Sequence, residues 1–264
     1  MNIPIYQVDA FASALFQGNP AAVMPLASFL PDATLLSIAA ENNLSETAYL
    51  VKTGEDYRLR WFTPSIEVSL CGHATLASAA VVMERLEPER REVRFHTHSG
   101  VLTVKKAPDG YVMDFPAQEY ERVDVPVGII DALGAAPLEV WKNDRFTLVL
   151  LKDAAMVRVL KPNFPRVAGL DPHGVIVTAT GDAGYDFVSR FFAPNYGINE
   201  DPVTGSAHCM LVPFWANRLG KDELRAFQAS SRGGELTCTH KGARVELRGK
   251  CAFYLEGVVS LSVQ

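Results

Sequence analysis

The chain has 264 residues, a formal net charge of −5, 48 % hydrophobic and 21 % charged residues. That length supports two modest domains or one large one, and the composition is that of a globular protein. The lysines and arginines form no concentrated basic footprint, which argues against nucleic-acid binding, and no apolar run reaches the length of a membrane span.

Residues 3–9 and 21–25 read as strands joined by a loop at Phe16-Gln17-Gly18-Asn19-Pro20. The start lacks the basic and apolar regions of a secretion signal, so a cytoplasmic protein is expected. Residues 32–43 have helical spacing, with Leu35, Leu36, Ile38 and Ala39 on the buried face and Pro31 just before the start. Residues 47–51 and 58–62 read as strands, and residues 74–86 as an apolar helix. Residues 92–106 and 111–115 suggest a hairpin around Pro108-Asp109-Gly110. Two prolines and a charged stretch across residues 116–126 mark a boundary. Strands are then expected at 146–151, 174–178 and 187–192, and an apolar helix at 207–219, ended by Gly220. Residues 244–247 and 252–263 close the chain as strands.

One phrase occurs twice. Residues 57–64 read Y-R-L-R-W-F-T-P and residues 186–194 read D-F-V-S-R-F-F-A-P. A Thr-Gly turn precedes each, at Thr53-Gly54 and Thr180-Gly181. A glycine-containing helix start follows each, at Cys71-Gly72-His73-Ala74 and Thr204-Gly205-Ser206-Ala207. An apolar helix without a polar face must be covered on most sides, and a curved sheet would cover it. The expected fold is therefore α+β, with two pseudo-symmetric lobes. Each is a β-barrel-like, antiparallel-rich sheet wrapped around a central helix. The lobes are expected at residues 1–118 and 119–264, with the final strand, 252–264, a candidate to return to the first. A cleft between duplicated halves is a natural place for an active site.

The two helix starts expose unpaired backbone N–H groups and partial positive charge, which suits a carboxylate or an enolate-like oxygen. Gly72, Gly205 and the Ser206 hydroxyl are candidate binding groups. Glu46 has no carboxylate counterpart in the second copy, where the alignment places Pro172 or His173. Its neighbours are small or apolar, and a partly desolvated carboxyl suits a group that takes and returns a proton. A surface glutamate beside a capping serine is the equal alternative. His73 is an acid/base partner or a helix cap, and Asp201 a site carboxylate or a turn aspartate before Pro202. His96-Thr97-His98 reads as alternating strand histidines without a metal role. Cys71, Cys209, Cys238 and Cys251 lack framework spacing and read as free thiols.

Gly18-Asn19-Pro20, Ser45-Glu46-Thr47-Ala48, Phe62-Thr63-Pro64, Cys71-Gly72-His73-Ala74-Thr75 and residues 200–207 (E-D-P-V-T-G-S-A) together resemble the PhzF-like isomerases. These have the diaminopimelate-epimerase-like fold, and the match runs in order through the chain. Arg232-Gly233-Gly234-Glu235-Leu236 resembles the branch typified by the phenazine-biosynthesis-like domain proteins of animals. The resemblance implies Glu46 as the acid/base glutamate, with His73 and Asp201 as catalytic partners. It implies Asn19, Gly72, Gly205 and Ser206 as substrate-binding residues. It also implies a small carboxylate substrate, no metal or organic cofactor, and a homodimer. Racemases on this fold carry a thiol at each helix start. Here only Cys71 stands at one, and Cys209 lies inside the second helix. Two rivals remain: racemisation or epimerisation of an amino or hydroxy acid through Cys71, and a ligand-binding or interaction module without turnover.

Overall fold

A computed structural model describes residues 1–261. The expected strand end at residues 262–264 lies outside the described residues. The chain divides into two compact units: Met1–Asp114 together with the chain from Arg248 onward, and Phe115–Leu247. The break after Asp114 falls inside the strand Gly110–Pro116, a few residues before the charged stretch that suggested 118/119.

In the first unit, Asn2–Ala10 pairs antiparallel with Asn19–Leu26 on one side and with Cys251–Ser260 on the other. Asn19–Leu26 runs parallel to Glu46–Thr53, which pairs antiparallel with Asp56–Phe62, which in turn runs parallel to Glu92–Thr97. Gly100–Ala107 and Gly110–Pro116 continue the sheet antiparallel. The second unit repeats the alternation. Thr147–Leu150 is parallel to Val175–Thr180, then antiparallel to Phe187–Ala193, then parallel to Glu223–Gln228, and Gly234–Lys241 follows antiparallel. The architecture is α+β, with a mixed sheet whose parallel pairs the strand pattern did not reveal.

Register locates the counterpart of Glu46. Thr47 faces Phe62, the second member of the first aromatic pair, and Val175 faces Phe192, the second member of the other. Glu46 therefore corresponds to Gly174, one or two residues beyond Pro172 and His173. Gly174 has φ +146°, and a Cβ there would lie 2.4 Å from the Phe191 ring, so this position takes no side chain.

The helix Gly72–Val81 fills the first unit, and every residue from His73 to Val81 is buried. Its hydroxyls bond backward along the helix, Thr75 Oγ1 to Cys71 O at 2.5 Å and Ser78 Oγ to Ala74 O at 2.7 Å, so both hydroxyls of this helix are partnered. The expected helix to residue 86 ends in a π-helical turn, Val82–Leu86. The helix Gly205–Leu219 plays the same part in the second unit, and Gly220 ends it at φ +66°. Trp215 donates to Thr178 Oγ1 at 3.0 Å and stacks on Phe187 at 5.8 Å, tying this helix to two strands.

Two further sequence expectations change, and three short helices were not expected. Residues 92–106 form two strands, Glu92–Thr97 and Gly100–Ala107, with a turn between them. His98 lies in that turn and approaches Glu67 at 3.4 Å, whereas His96 bonds Asp56 at 2.8 Å. The two histidines thus serve different carboxylates and do not alternate along one strand. The helices Ile129–Leu133, Ala154–Val159 and Phe164–Val167 were not legible, because fewer than two turns cannot accumulate a helical period.

Leu76 sits fully buried in the first central helix. Leu76→Ala is expected to lower stability by about 2–5 kcal/mol. Urea unfolding measures it, and a loss under about 1 kcal/mol would show that this helix is not the tightly packed centre of the unit.

Candidate active site

The parallel pairing of Ala21 with Glu46 brings the beginnings of the strands Asn19–Leu26 and Glu46–Thr53 side by side. Gly18 directs the first of them. Its φ is +66°, and a Cβ would lie 2.2 Å from Ala10 O, so only glycine lets the chain turn there and deliver Asn19. The strand Asp56–Phe62 leads through Thr63 and a short loop to the helix start. Thr63 Oγ1 accepts the N–H groups of Ser65 and Ile66 at 3.2 and 3.0 Å, which sets the loop's direction.

These elements gather four side chains. His73 is the second residue of the helix Gly72–Val81 and is almost fully buried. Its Nδ1 lies 3.1 Å from Asn19 Nδ2 and 3.5 Å from Cys71 Sγ. Its Nε2 lies 3.1 Å from Glu46 Oε2, whose side chain is 13 % exposed. That approach is a close ion contact without hydrogen-bond alignment, and neither atom has another hydrogen-bond partner among the described residues. Two buried polar atoms left this way mark a place where a proton or a ligand group is expected.

Burial works against an imidazolium at His73. Negative charge at Cys71 and at Glu46 works for it, and the balance holds the ring's pKa well above the usual histidine range. Burial, with the Glu46 charge second, pushes the Cys71 thiol up to about 11. Near neutral pH the sulfur is therefore protonated, so the Cys71 contribution to the ring's pKa is in place only where the thiol ionises, near pH 11. Glu46, Cys71 and His73 each place one donor atom within 4.8 Å of the other two. Cys71 and Glu46 approach opposite nitrogens of one ring, however. As arranged, the trio suits a proton relay better than a single metal ion.

In the second unit, Asp201 ends the strand Ile198–Asp201, Thr204 is the N-cap, and Gly205 opens the helix Gly205–Leu219 with Ser206 next. Thr204 Oγ1 donates to Asp201 Oδ2 at 2.5 Å. Two residues that were not singled out join them. Thr204 is one, and a threonine directly before a helix-opening glycine was a readable signal. The other is Gln228, fully buried, which accepts from Thr204 N–H at 2.8 Å and donates to Asp201 O at 2.8 Å. Its signal was fainter: Leu224, Ala226 and Gln228 occupy the buried phase of an alternating strand, and only Gln228 is polar.

Neither N-cap side chain, that of Cys71 or that of Thr204, makes a cap hydrogen bond to its helix. Cys209 lies a turn inside the second helix, its thiol on Gly205 O at 3.6 Å and pushed by burial up to about 12. His208 is buried, donates from Nδ1 to Thr204 O at 2.8 Å, and is held by burial at about 4, so it is neutral.

The chain matches the phenazine biosynthesis-like protein (PhzC-PhzF) family over residues 8–257. It belongs to that family. It is 52 % identical over 261 residues to an uncharacterized isomerase of Pseudomonas aeruginosa, covering 99 % of this chain and all of that one. It is 40 % identical to a rat phenazine biosynthesis-like domain-containing protein, covering 98 % of this chain and all of that protein. A crystal structure of a family member from Enterococcus faecalis superposes with a TM-score of 0.95 at 46 % identity, over 99 % of this chain and all of that one. A hydroxyproline epimerase from Agrobacterium vitis superposes with a TM-score of 0.61 at 11 % identity, over 98 % of this chain and 93 % of that one, a likeness of fold alone. Family membership makes this an isomerase-type chain. Among its described residues, no helix is long and apolar enough to cross a membrane.

Cys71 is buried, like Cys209 and Cys238, and burial raises all four thiols, with Cys71 at about 11 and Cys209 at about 12. The native protein at pH 7.5 is therefore expected to resist iodoacetamide for hours, with all four thiols reacting after unfolding. Rapid labelling of Cys71, read by peptide mass spectrometry, would show an activated thiol and revive the racemase reading.

Proposed function

We propose that the protein is an isomerase that moves a proton between carbons of a small carboxylate-bearing substrate, with Glu46 as acid and base. The observation carrying this reading is the buried contact of Glu46 Oε2 with His73 Nε2 at 3.1 Å beside a helix start, in a chain whose second helix start bears no thiol. Glu46 accepts the proton from an activated carbon, and the electron pair spreads into the adjoining conjugated system. Glu46 then returns the proton at another carbon, so atoms and charge balance without an oxidant or reductant.

His73 orients Glu46 and places a ring proton at the developing anion. Asp201 is assigned to proton traffic on the substrate. Gly72, Gly205, Ser206 and Asn19 are assigned to holding it, the first three through helix-start N–H groups and a hydroxyl that oppose developing negative charge. The chemistry asks for no metal or organic cofactor. A cytoplasmic homodimer completes the reading. Epimerisation through Cys71 is the weaker alternative, since burial leaves that thiol protonated and no second thiol stands at the other helix start.

The test is incorporation of deuterium from D2O into carbon positions of a panel of cyclic and linear carboxylates, followed by NMR. Glu46→Gln should slow exchange of an accepted substrate by about 10²–10⁴-fold, and Cys71→Ala should leave it nearly unchanged. Full activity in Glu46→Gln would end the glutamate mechanism. Loss in Cys71→Ala alone would favour the epimerase, and no exchange with any carboxylate would favour a binding module.

A further inference from the structure

Thr204 stands at the N-cap of a long helix, where a threonine hydroxyl ordinarily accepts a first-turn N–H of its own helix. Here it does not: the Thr204 side chain makes no cap hydrogen bond to the helix Gly205–Leu219. The hydroxyl instead donates to Asp201 Oδ2 at 2.5 Å. Donating to Asp201 leaves the oxygen's acceptor side, the side a cap bond needs, and Gln228 occupies it: its Nε2 lies 3.2 Å from Thr204 Oγ1 and donates to a lone pair that a first-turn N–H would otherwise use.

The same amide closes the turn at both ends, taking Thr204 N–H on Oε1 and giving a hydrogen bond to Asp201 O, each at 2.8 Å. His208 Nδ1 holds the remaining polar atom of Thr204, its carbonyl, at 2.8 Å. The carbonyl also takes the helix's first backbone bond, from His208 N–H at 3.4 Å, while the N–H and hydroxyl of Thr204 are bound outside the helix. Gln228 is fully buried, and the exposed end of the molecule's chemistry lies beyond it, at the partly exposed Asp201 and Ser206. A buried amide with its acceptor and both donors used, at no structural junction other than this turn, is costly to replace and specific in what it orients.

We infer that Gln228 is a positioning residue: it diverts the Thr204 hydroxyl from its own helix to Asp201, leaving the first-turn N–H groups of Ser206 and Ala207 uncapped for a substrate carboxylate. The substrate part of this inference rests on the proposed function. The diversion of the hydroxyl does not.

The experiment measures amide hydrogen exchange of Ser206 and Ala207 by NMR, without substrate, in the parent, in Gln228→Met, and in Gln228→Met with Thr204→Val. In Gln228→Met the released hydroxyl should cap the helix and slow one of these amides by about five- to tenfold. Adding Thr204→Val removes the hydroxyl and should restore the parent rate. With a carboxylate that undergoes deuterium exchange, the apparent KM should rise in Gln228→Met more than kcat falls, and recover in the double variant. Gln228→Leu, of similar volume and unable to donate, should behave as Gln228→Met does and serves if that variant misfolds. Unchanged amides in both single variants, or slowing that Thr204→Val does not reverse, would overturn the inference. If the amides respond as stated while no carboxylate exchanges, the positioning role stands and the proposed function fails.

Discussion

Each unit is organised by a helix that must be enclosed on all sides. Gly72–Val81 has no exposed face, and Gly205–Leu219 has hardly any until its last turn. Such a helix is stable only inside a sheet that wraps it, because its apolar surface gains about 25 cal/mol per Å² on leaving water. Even when enclosed, such a helix leaves the N–H groups of its N-terminal turn without a partner within the helix. The loops and strand starts that reach that turn are therefore where chemistry can be built, and both side-chain clusters are found there.

Although the two units share strand alternation and a central helix, their helix starts are furnished differently. The first has Cys71 as N-cap and places His73 between Asn19, the cysteine sulfur and Glu46. The second has Thr204, bound to Asp201 and Gln228. The difference extends to Glu46 itself, whose counterpart is a glycine pressed against Phe191. Two similar helix starts are therefore furnished asymmetrically, with a glutamate, a cysteine and a histidine crowded at one and a hydrogen-bonded clamp at the other. Thiols held high by burial complete the asymmetry, since neither Cys71 nor Cys209 is poised as an anion.

Much of this was legible in the chain. The repeated aromatic pairs, the glycine-led helix starts and the largely apolar helices are local patterns, and local patterns survive translation into structure because propensity and burial act over a few residues. Glu46 could be singled out because the second copy has no carboxylate to match it, and His73 and Asp201 because each stands at or just before a glycine-led helix start. The parallel pairings could not be read, since alternation of apolar residues does not distinguish a parallel neighbour from an antiparallel one. His98 was misplaced for a similar reason: a tight turn after Thr97 leaves little mark on a two-residue period.

Sequence alone determined the duplicated α+β plan, the family, and the residue types available to the chemistry. Those depend on composition, spacing and order, which are properties of the chain itself. Only the tertiary structure decided that Asn19 lies against His73, that Glu46 corresponds to Gly174, and that Gln228 grips Thr204. Contacts between residues 24 to 54 positions apart are set by register and by the path of loops, and these are resolved when whole sheets close around their helices.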